Sequence, residues 1–574
     1  MMNQREFIAN FNNNPKTRFS LNPKLFERDD EKIIYYLKLI YRSIQRTMGV
    51  NSYFTIKVEN FEVIEDYNKI REILSTYQEN LINKSTKLKG SIDNRYNYID
   101  LKPTDLKLLL TTFLLEAYDG KELVDCLIAV PRVVDKFFFR INNHYLYSMY
   151  QLVEGNTYNN QTSNAKTPLV VFKCIFPPIN IFRNNVTFND IHGNAVSMVT
   201  YEADIFTKSV PACEYLIANM GLNNALAFLG ISEVIYIGTE LPNHPEEYYI
   251  FLPKKSFGIY VAAPKSIFES NYVVQHVIAT LCNEFSKKFA SSNEIFSKDA
   301  WLEVLGKHFS LTSPRSKAIS ILTSLENTYD LITKENTRLP EEDKRDAYCI
   351  IRWMIYEYSA LIRKDNLDVS IKRIRLEEYI AGLIAPKISK AIYALSDMGE
   401  KVNLAHIKRR INIPYDYLIN EVSKTSIIVY TDTITDNNSY CAIKMSRNGP
   451  SAISEKNGNA ALPVSHRHLH VSSLGILDDT ASGNSAPGIA GIVCPLGNIY
   501  PGGYFLPEDQ YSEPNTWREE LRKQIDIVRA NTAREEAVTF KNIILEQSKF
   551  PELKIKDFEL SEEQKQYLME TANR

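Results

Sequence analysis

The hydrophobic pattern of this chain changes its period near residue 270, and that change limits the folds open to it. Residues 169–183 and 231–262 are β-rich, punctuated by Pro and Gly, and DCLIAVPRVV upstream reads the same way. From residue 272 to about 400 the pattern is helical. In DAYCIIRWMIYEYSALIR the apolar positions Ala347, Ile350, Ile351, Met354, Ile355, Tyr358, Leu361 and Ile362 follow the i, i+3, i+4, i+7 spacing of a helix facing a core. Segregated β and helical stretches predict an α+β protein. A length of 574 residues allows several domains, each with its own core. No internal repeat of solenoid or propeller period is present.

Local signals fill in this outline. TDLKLLLTTFLLEAY (104–118) reads as a capped helix. FFFRINNHYLYSMYQLV reads as a hairpin turning at Asn142-Asn143 between β-prone aromatic runs. CEYLIANMGLNNALAFLG predicts two short helices broken near Gly221. In KDNLDVSIKRIRLEEYIAGLIAPKISKAIYAL a charged elbow leads into a helix that Pro386 kinks or breaks. The basic run 408–410 reads as a solvated helix end. A polar stretch covers 433–463, a Gly/Ser/Pro-rich loop begins near 480, and the charge-dense segment after 515 reads as solvated helices.

The formal charge of −2 provides no global basic field, so any nucleic-acid contact must come from local clusters. Seven cysteines are scattered singly with no CxxC pair, which predicts buried thiols in a reducing compartment. MMNQREFIANFNNN has no apolar signal core, and the apolar run LLLTTFLLEAY is shorter than the ~20 residues of a membrane span. A cytoplasmic-type protein without membrane association is expected. The sequence has no GxxxxGK[ST], HExxH, GxSxG or strand-linked GxGxxG motif, and no Asp-rich triad of the kind that holds Mg2+ for nucleotidyl transfer.

SHRHLHVSSLG places His466, His468 and His470 at alternate positions, on one face if the segment is extended. Three readings are open: part of a metal site, with Cys441, Cys494, Asp478 or Asp479 as a further ligand; a polar strand face; or a loop touching phosphate or stacked bases. No carboxylate stands at a spacing that would orient the rings for a metal.

Segments in order along residues 130–505 resemble the N-terminal half of the β subunit of multisubunit DNA-dependent RNA polymerases. FRINNHYLYSMYQLV is similar to the protrusion hairpin of that family, matching at Ile141, Asn142, Gln151 and Leu152, with Tyr145 and Leu146 in place of its Glu-Arg. KSVPACEYLIANMGLNNALAFLG resembles a lobe segment, and KDNLDVSIKRIRLEEYIAGLI resembles the elbow where the lobe returns to the protrusion. There Lys372, Arg373 and Arg375 fall on the family's basic cluster, while Ser370-Ile371 replaces its Gly-Asn. SHRHLHVSSLG with GIVCPLGNIYPGG is similar to the fork: Ser472, Leu474, Gly475, Gly491, Val493, Cys494 and Pro495 match, His470 stands where an Arg is usual, and Ile492 replaces the Arg of the Cys-Pro segment. The acidic motif that follows in the family is here Gly497-Asn498-Ile499-Tyr500-Pro501-Gly502.

A β subunit cut soon after the fork looks like the split β chains of giant-bacteriophage polymerases. The resemblance implies a protrusion in two parts (1–155 and 369–440), a lobe (156–368), a fork-like region (441–515) and a helical tail (516–574). It implies a subunit of a DNA-directed RNA polymerase, a nucleotidyltransferase, in which this chain forms one wall of the DNA cleft and the fork at the bubble edge. No catalytic or metal-binding residue is expected here; Mg2+ would be held by another chain. Implied partners are a C-terminal β-like chain, β′-like chains, a promoter-specificity subunit, the DNA template and nascent RNA, in the infected bacterial cytoplasm or the virion. The candidate nucleic-acid residues are Arg447, Arg467, His468, His470, Ser472, Lys372, Arg373 and Arg375, although the elbow cations have an intramolecular alternative in Glu377 and Glu378. Cys494 is expected to pack as a buried thiol. Competing readings are a metal-dependent enzyme built on His466, His468 and His470, and a non-catalytic virion protein.

Overall fold

The computed structural model describes residues 28–44, 53–76, 102–134, 138–141, 144–148, 150–155, 157–160, 169–176, 178–205, 208–253, 258–285, 292–364, 368–425, 428–431, 444–446, 472, 490–492 and 499–506. The chain divides into two units, Met1–Phe505 and Leu506–Arg574. Apart from Leu506, the second unit and the tail expected within it lie outside the described residues. The first unit mixes helix and sheet, as an α+β protein does.

The segment read as a helix at 104–118 is instead a strand, Leu106–Ala117. It pairs antiparallel with Thr55–Ile64 on one side and Gly120–Pro131 on the other. An unbroken apolar run suits either a buried helix or a strand covered on both faces, and periodicity alone does not separate them. The deciding signals are the β-branched pair Thr111-Thr112 and the tight turn at Tyr118-Asp119-Gly120. Gly120 adopts φ +135°, which side chains with a Cβ rarely reach.

The hairpin expected around Asn142-Asn143 forms from Phe138–Ile141 and His144–Ser148, although the turn residues lie outside the described set. Beyond it, Tyr150–Glu154 joins a different sheet. Ala212–Met220 and Leu222–Phe228 are the two short helices, separated at Gly221. Pro386 breaks the helical run: Glu377–Gly382 ends before it, and Ala385–Met398 begins with the proline in its first turn, where no backbone donor is lost. The basic residues 408–410 occupy the last turn of Leu404–Ile411, where cations suit the helix dipole.

The described residues bury two apolar clusters. One combines the five-stranded sheet (Ser209–Pro211, Ala195–Asp204, Ile179–Asn189, Leu169–Phe172, Thr157–Asn160) and the small sheet of Tyr236–Gly238, Tyr260–Pro264 and Tyr248–Phe251 with helices up to Leu361. Trp301 lies fully buried in it, its indole N–H donating to the Ile295 carbonyl at 2.7 Å. The other draws on residues 33–152 and 369–422, with Phe176 and Ile332 from between them and Phe505. One apolar core therefore closes over segments separated by some two hundred residues of intervening chain.

Helix Ala347–Leu361 buries all the apolar positions that define its periodic face within those bounds. Its N-cap is Asp346, whose carboxylate accepts from the Cys349 backbone N–H at 2.9 Å. Cys126, Cys174, Cys213, Cys282 and Cys349 are buried. Among the described residues no helix is long and apolar enough to cross a membrane.

The cap yields a direct expectation. Burial raises the Asp346 pKa, but the Cys349 N–H and Arg345 outweigh it and hold the carboxyl below its usual range. Its stabilisation is therefore complete above the ordinary aspartate value and is lost as pH falls through the depressed folded value. Asp346→Ala is expected to cost about 1 kcal/mol near neutral pH, read as an earlier urea midpoint, with the difference shrinking in acid.

Candidate functional site

Four separated segments meet in one sheet: Lys372–Arg375, Tyr150–Glu154, Lys444–Ser446 and Ala490–Ile492, in that order. Arg375 lies opposite Gln151 and Lys372 opposite Glu154 in an antiparallel ladder. Lys444–Ser446 runs parallel to Tyr150–Glu154, with Ser446 beside Gln151, and pairs antiparallel with Ala490–Ile492. The chain then returns at Tyr504, which bridges to Arg373. The strand that follows the hairpin, the elbow strand and two later strands thus share one hydrogen-bonded surface.

Arg373 is the centre of this junction. Its guanidinium reaches Glu378 through two short bonds, Nη1 to Oε2 at 2.7 Å and Nη2 to Oε1 at 2.6 Å. Both side chains are more than nine-tenths buried, 7% and 4% exposed. A planar fork matched to a carboxylate is among the strongest pairings a protein can make, and burial removes competing water. Nη1 also donates to the Gly502 carbonyl at 3.1 Å. Burial on its own would raise the Glu378 pKa; the charge and hydrogen bonds of Arg373, with Arg375 and Lys173, reverse that and hold it below the usual glutamate range. Burial instead dominates at the neighbouring Glu377, whose pKa is raised despite Lys32 and Arg28.

The surrounding contacts extend the clamp. Arg375 Nε donates to Gln151 Oε1 at 2.7 Å, and its guanidinium lies 5.3 Å from the Tyr379 ring centre. Gly155 N–H donates to the Ile371 carbonyl at 3.0 Å. The Tyr504 hydroxyl donates to the Asn336 carbonyl at 2.6 Å, while Arg338 lies 3.8 Å from the centre of its ring. Gly503 makes the closest approach: at φ +84°, a Cβ there would stand 2.0 Å from the Ile374 carbonyl oxygen. A cavity of about 590 Å3 opens beside the clamp, lined among others by Lys32, Tyr36, Tyr150, Glu377 and Tyr500. Its lining mixes cationic, carboxylate, aromatic and aliphatic side chains.

The structure places the sequence candidates unevenly. Lys372 and Arg373 are buried, 5% and 6% exposed, and Arg375 is engaged by Gln151. The elbow cations face inward because their strand is enclosed, and Glu378 supplies the compensating charge. This is the intramolecular pairing for Glu378; Glu377 makes no such bond with Arg373 among the contacts described. Ser472 is also buried, its Oγ accepting from the Val369 N–H at 2.8 Å. Arg447, Arg467, His466, His468, His470, Cys441, Cys494, Asp478 and Asp479 lie outside the described residues. Sequence reasoning missed Tyr504 and Asn336; the Pro-Gly-Gly-Tyr turn at 501–504 was the available signal.

The family model for a non-virion RNA polymerase subunit matches residues 1–511. The chain belongs to that family. It is therefore an RNA polymerase subunit, a component of a transcribing enzyme that works with other subunits. Comparison with curated proteins finds no match. In this polymerase subunit the matched region contains the whole described junction, from Tyr150 through Arg373 to Tyr504.

Breaking the Arg373 pair on one side leaves a buried charge. Arg373→Met or Glu378→Gln alone is expected to cost about 3–5 kcal/mol. Replacing both with Met is expected to recover most of that loss, the remainder reflecting Arg375, whose Nη1 lies 3.8 Å from Glu378 Oε1. A double-mutant cycle by urea denaturation checks this; additive losses would contradict it.

Proposed function

We propose that this polymerase subunit is the N-terminal β-like part of a split β subunit. On this reading residues 1–155 and 369–440 form the protrusion, 156–368 the lobe and 441–515 the fork-like region. The two apolar clusters support it, since one joins residues on both sides of the lobe and the other lies within it. The chain would form one wall of the cleft that holds DNA and the fork at the leading edge of the bubble. The observation that carries the reading is the four-stranded sheet, which joins Tyr150–Glu154, the strand that follows the hairpin, to the elbow and fork-like segments in a chain of polymerase-subunit family.

The burial of Lys372, Arg373 and Ser472, with Arg375 engaged by Gln151, supports dividing the candidate residues by task. These four anchor the fork-like region from within, and Arg447, Arg467, His468 and His470 supply the nucleic-acid contacts. Contacts to phosphate position without reading sequence, as a moving enzyme requires. Imidazole can donate to phosphate and stack on a base, yet carries little fixed charge near neutral pH. With no Asp-rich triad in this sequence, the Mg2+ of nucleotide addition would be held by another chain on this reading. A C-terminal β-like chain, β′-like chains and a promoter-specificity subunit complete the enzyme, and the family's non-virion designation favours action in the infected bacterial cytoplasm.

Site-specific photo-cross-linking in transcribing complexes tests the placement. A benzophenone side chain at position 467 is expected to capture DNA near the leading edge of the bubble; adducts confined to protein would contradict it. The imidazoles add a pH signature. Protonated histidine binds phosphate better, so bubble-edge contacts are expected to weaken between about pH 6 and pH 8. His470→Ala is expected to flatten that dependence, and an unchanged profile would count against the assignment.

A further inference from the structure

Glu214, Glu284 and His308 come from different helical segments of the larger core yet converge on one point. Glu214 lies on Ala212–Met220, Glu284 on Tyr272–Phe285, and His308 caps the end of Lys298–Lys307. One ligand atom from each falls within 4.8 Å of the others. Glu214 is 0% exposed and Glu284 1%, while the His308 side chain keeps 22% of its surface. His308 Nε2 lies 3.0 and 3.3 Å from the two Glu214 oxygens. Asn283 Nδ2 donates to Glu284 Oε1 at 3.0 Å, which fixes that carboxylate.

We propose that these three side chains hold a zinc ion. Two buried carboxylates drawn to one point repel in a low-dielectric interior, and a divalent cation between them turns that repulsion into attraction. The spacing fits: tetrahedral Zn2+ with bonds of ~2.0–2.1 Å separates its ligand atoms by roughly 3.3 Å. His308 Nε2 now pairs directly with Glu214, and the ligand atoms, within 4.8 Å of one another, would draw together around the ion in place of that hydrogen bond. Two carboxylates with an imidazole form a donor set that zinc accepts, and the imidazole favours it over Mg2+. Water is the fourth ligand that the partly exposed His308 edge would admit. The ion would tie the helices of Glu214, Glu284 and His308 to one another, and it is independent of the nucleotide-addition Mg2+.

Metal analysis of the assembled polymerase provides the test. Complexes with Glu284→Gln or His308→Asn in this chain are expected to contain one zinc fewer per complex than wild type. A triple Asn replacement of His466, His468 and His470 is expected to leave the zinc content unchanged. Equal zinc in wild type and the Glu284 and His308 variants, or loss only in the triple variant, would overturn the assignment. Should those variants fail to assemble, the wild-type full-length chain loaded with Co2+ decides. Intense visible absorption of tetrahedral cobalt, displaced by Zn2+, supports the site; weak octahedral bands, or uptake of Mn2+ or Mg2+ but not zinc, overturn it.

Discussion

The rest of the junction depends on the charge-paired bonds between Arg373 and Glu378. A strand carrying Lys, Arg, Ile and Arg would be a poor interior element by itself, because each buried cation loses its hydration. Glu378 sits in the first turn of the helix that follows the strand, close enough to meet Arg373 with both oxygens. Once that pair forms, the strand can be enclosed. Gly502 and Tyr504 then close over it from the far end of the unit, and Tyr150–Glu154 covers its other edge. The pair thus couples segments more than a hundred residues apart in sequence.

A buried bidentate pair and a backbone ladder hold their segments rigidly, and guanidinium suits such a place because its planar fork matches a carboxylate. On the proposed reading, Arg447, Arg467, His468 and His470 would instead make phosphate contacts that form and break quickly.

How much of this was legible in the sequence depended on whether the deciding interaction was local. Ala347–Leu361 could be read because its periodic face and its Asp346 cap lie within the segment itself. The break at Gly221 and the start at Pro386 were readable for the same reason. Leu106–Ala117 was misread because its apolar run lacks a strict polar alternation, and the ladders that make it a strand are completed on one side by the distant Thr55–Ile64 as well as by the adjacent Gly120–Pro131. The elbow cations were recognised as a cluster, yet their inward orientation follows from a sheet assembled across the whole unit. Glu214, Glu284 and His308 are spaced too far apart for any local pattern, and only the packing of their helices brings them together.

The central claim is that the sheet around Arg373 carries a fork at the edge of the transcription bubble. A cryo-electron-microscopy structure of the polymerase stalled on a nucleic-acid scaffold measures this directly. The account predicts that Lys444–Ser446 and Ala490–Ile492 lie beside Tyr150–Glu154, with Arg447, Arg467, His468 and His470 within contact distance of DNA where the duplex opens. Finding those four residues on an outer face remote from nucleic acid would contradict it, even with the Arg373–Glu378 pair intact.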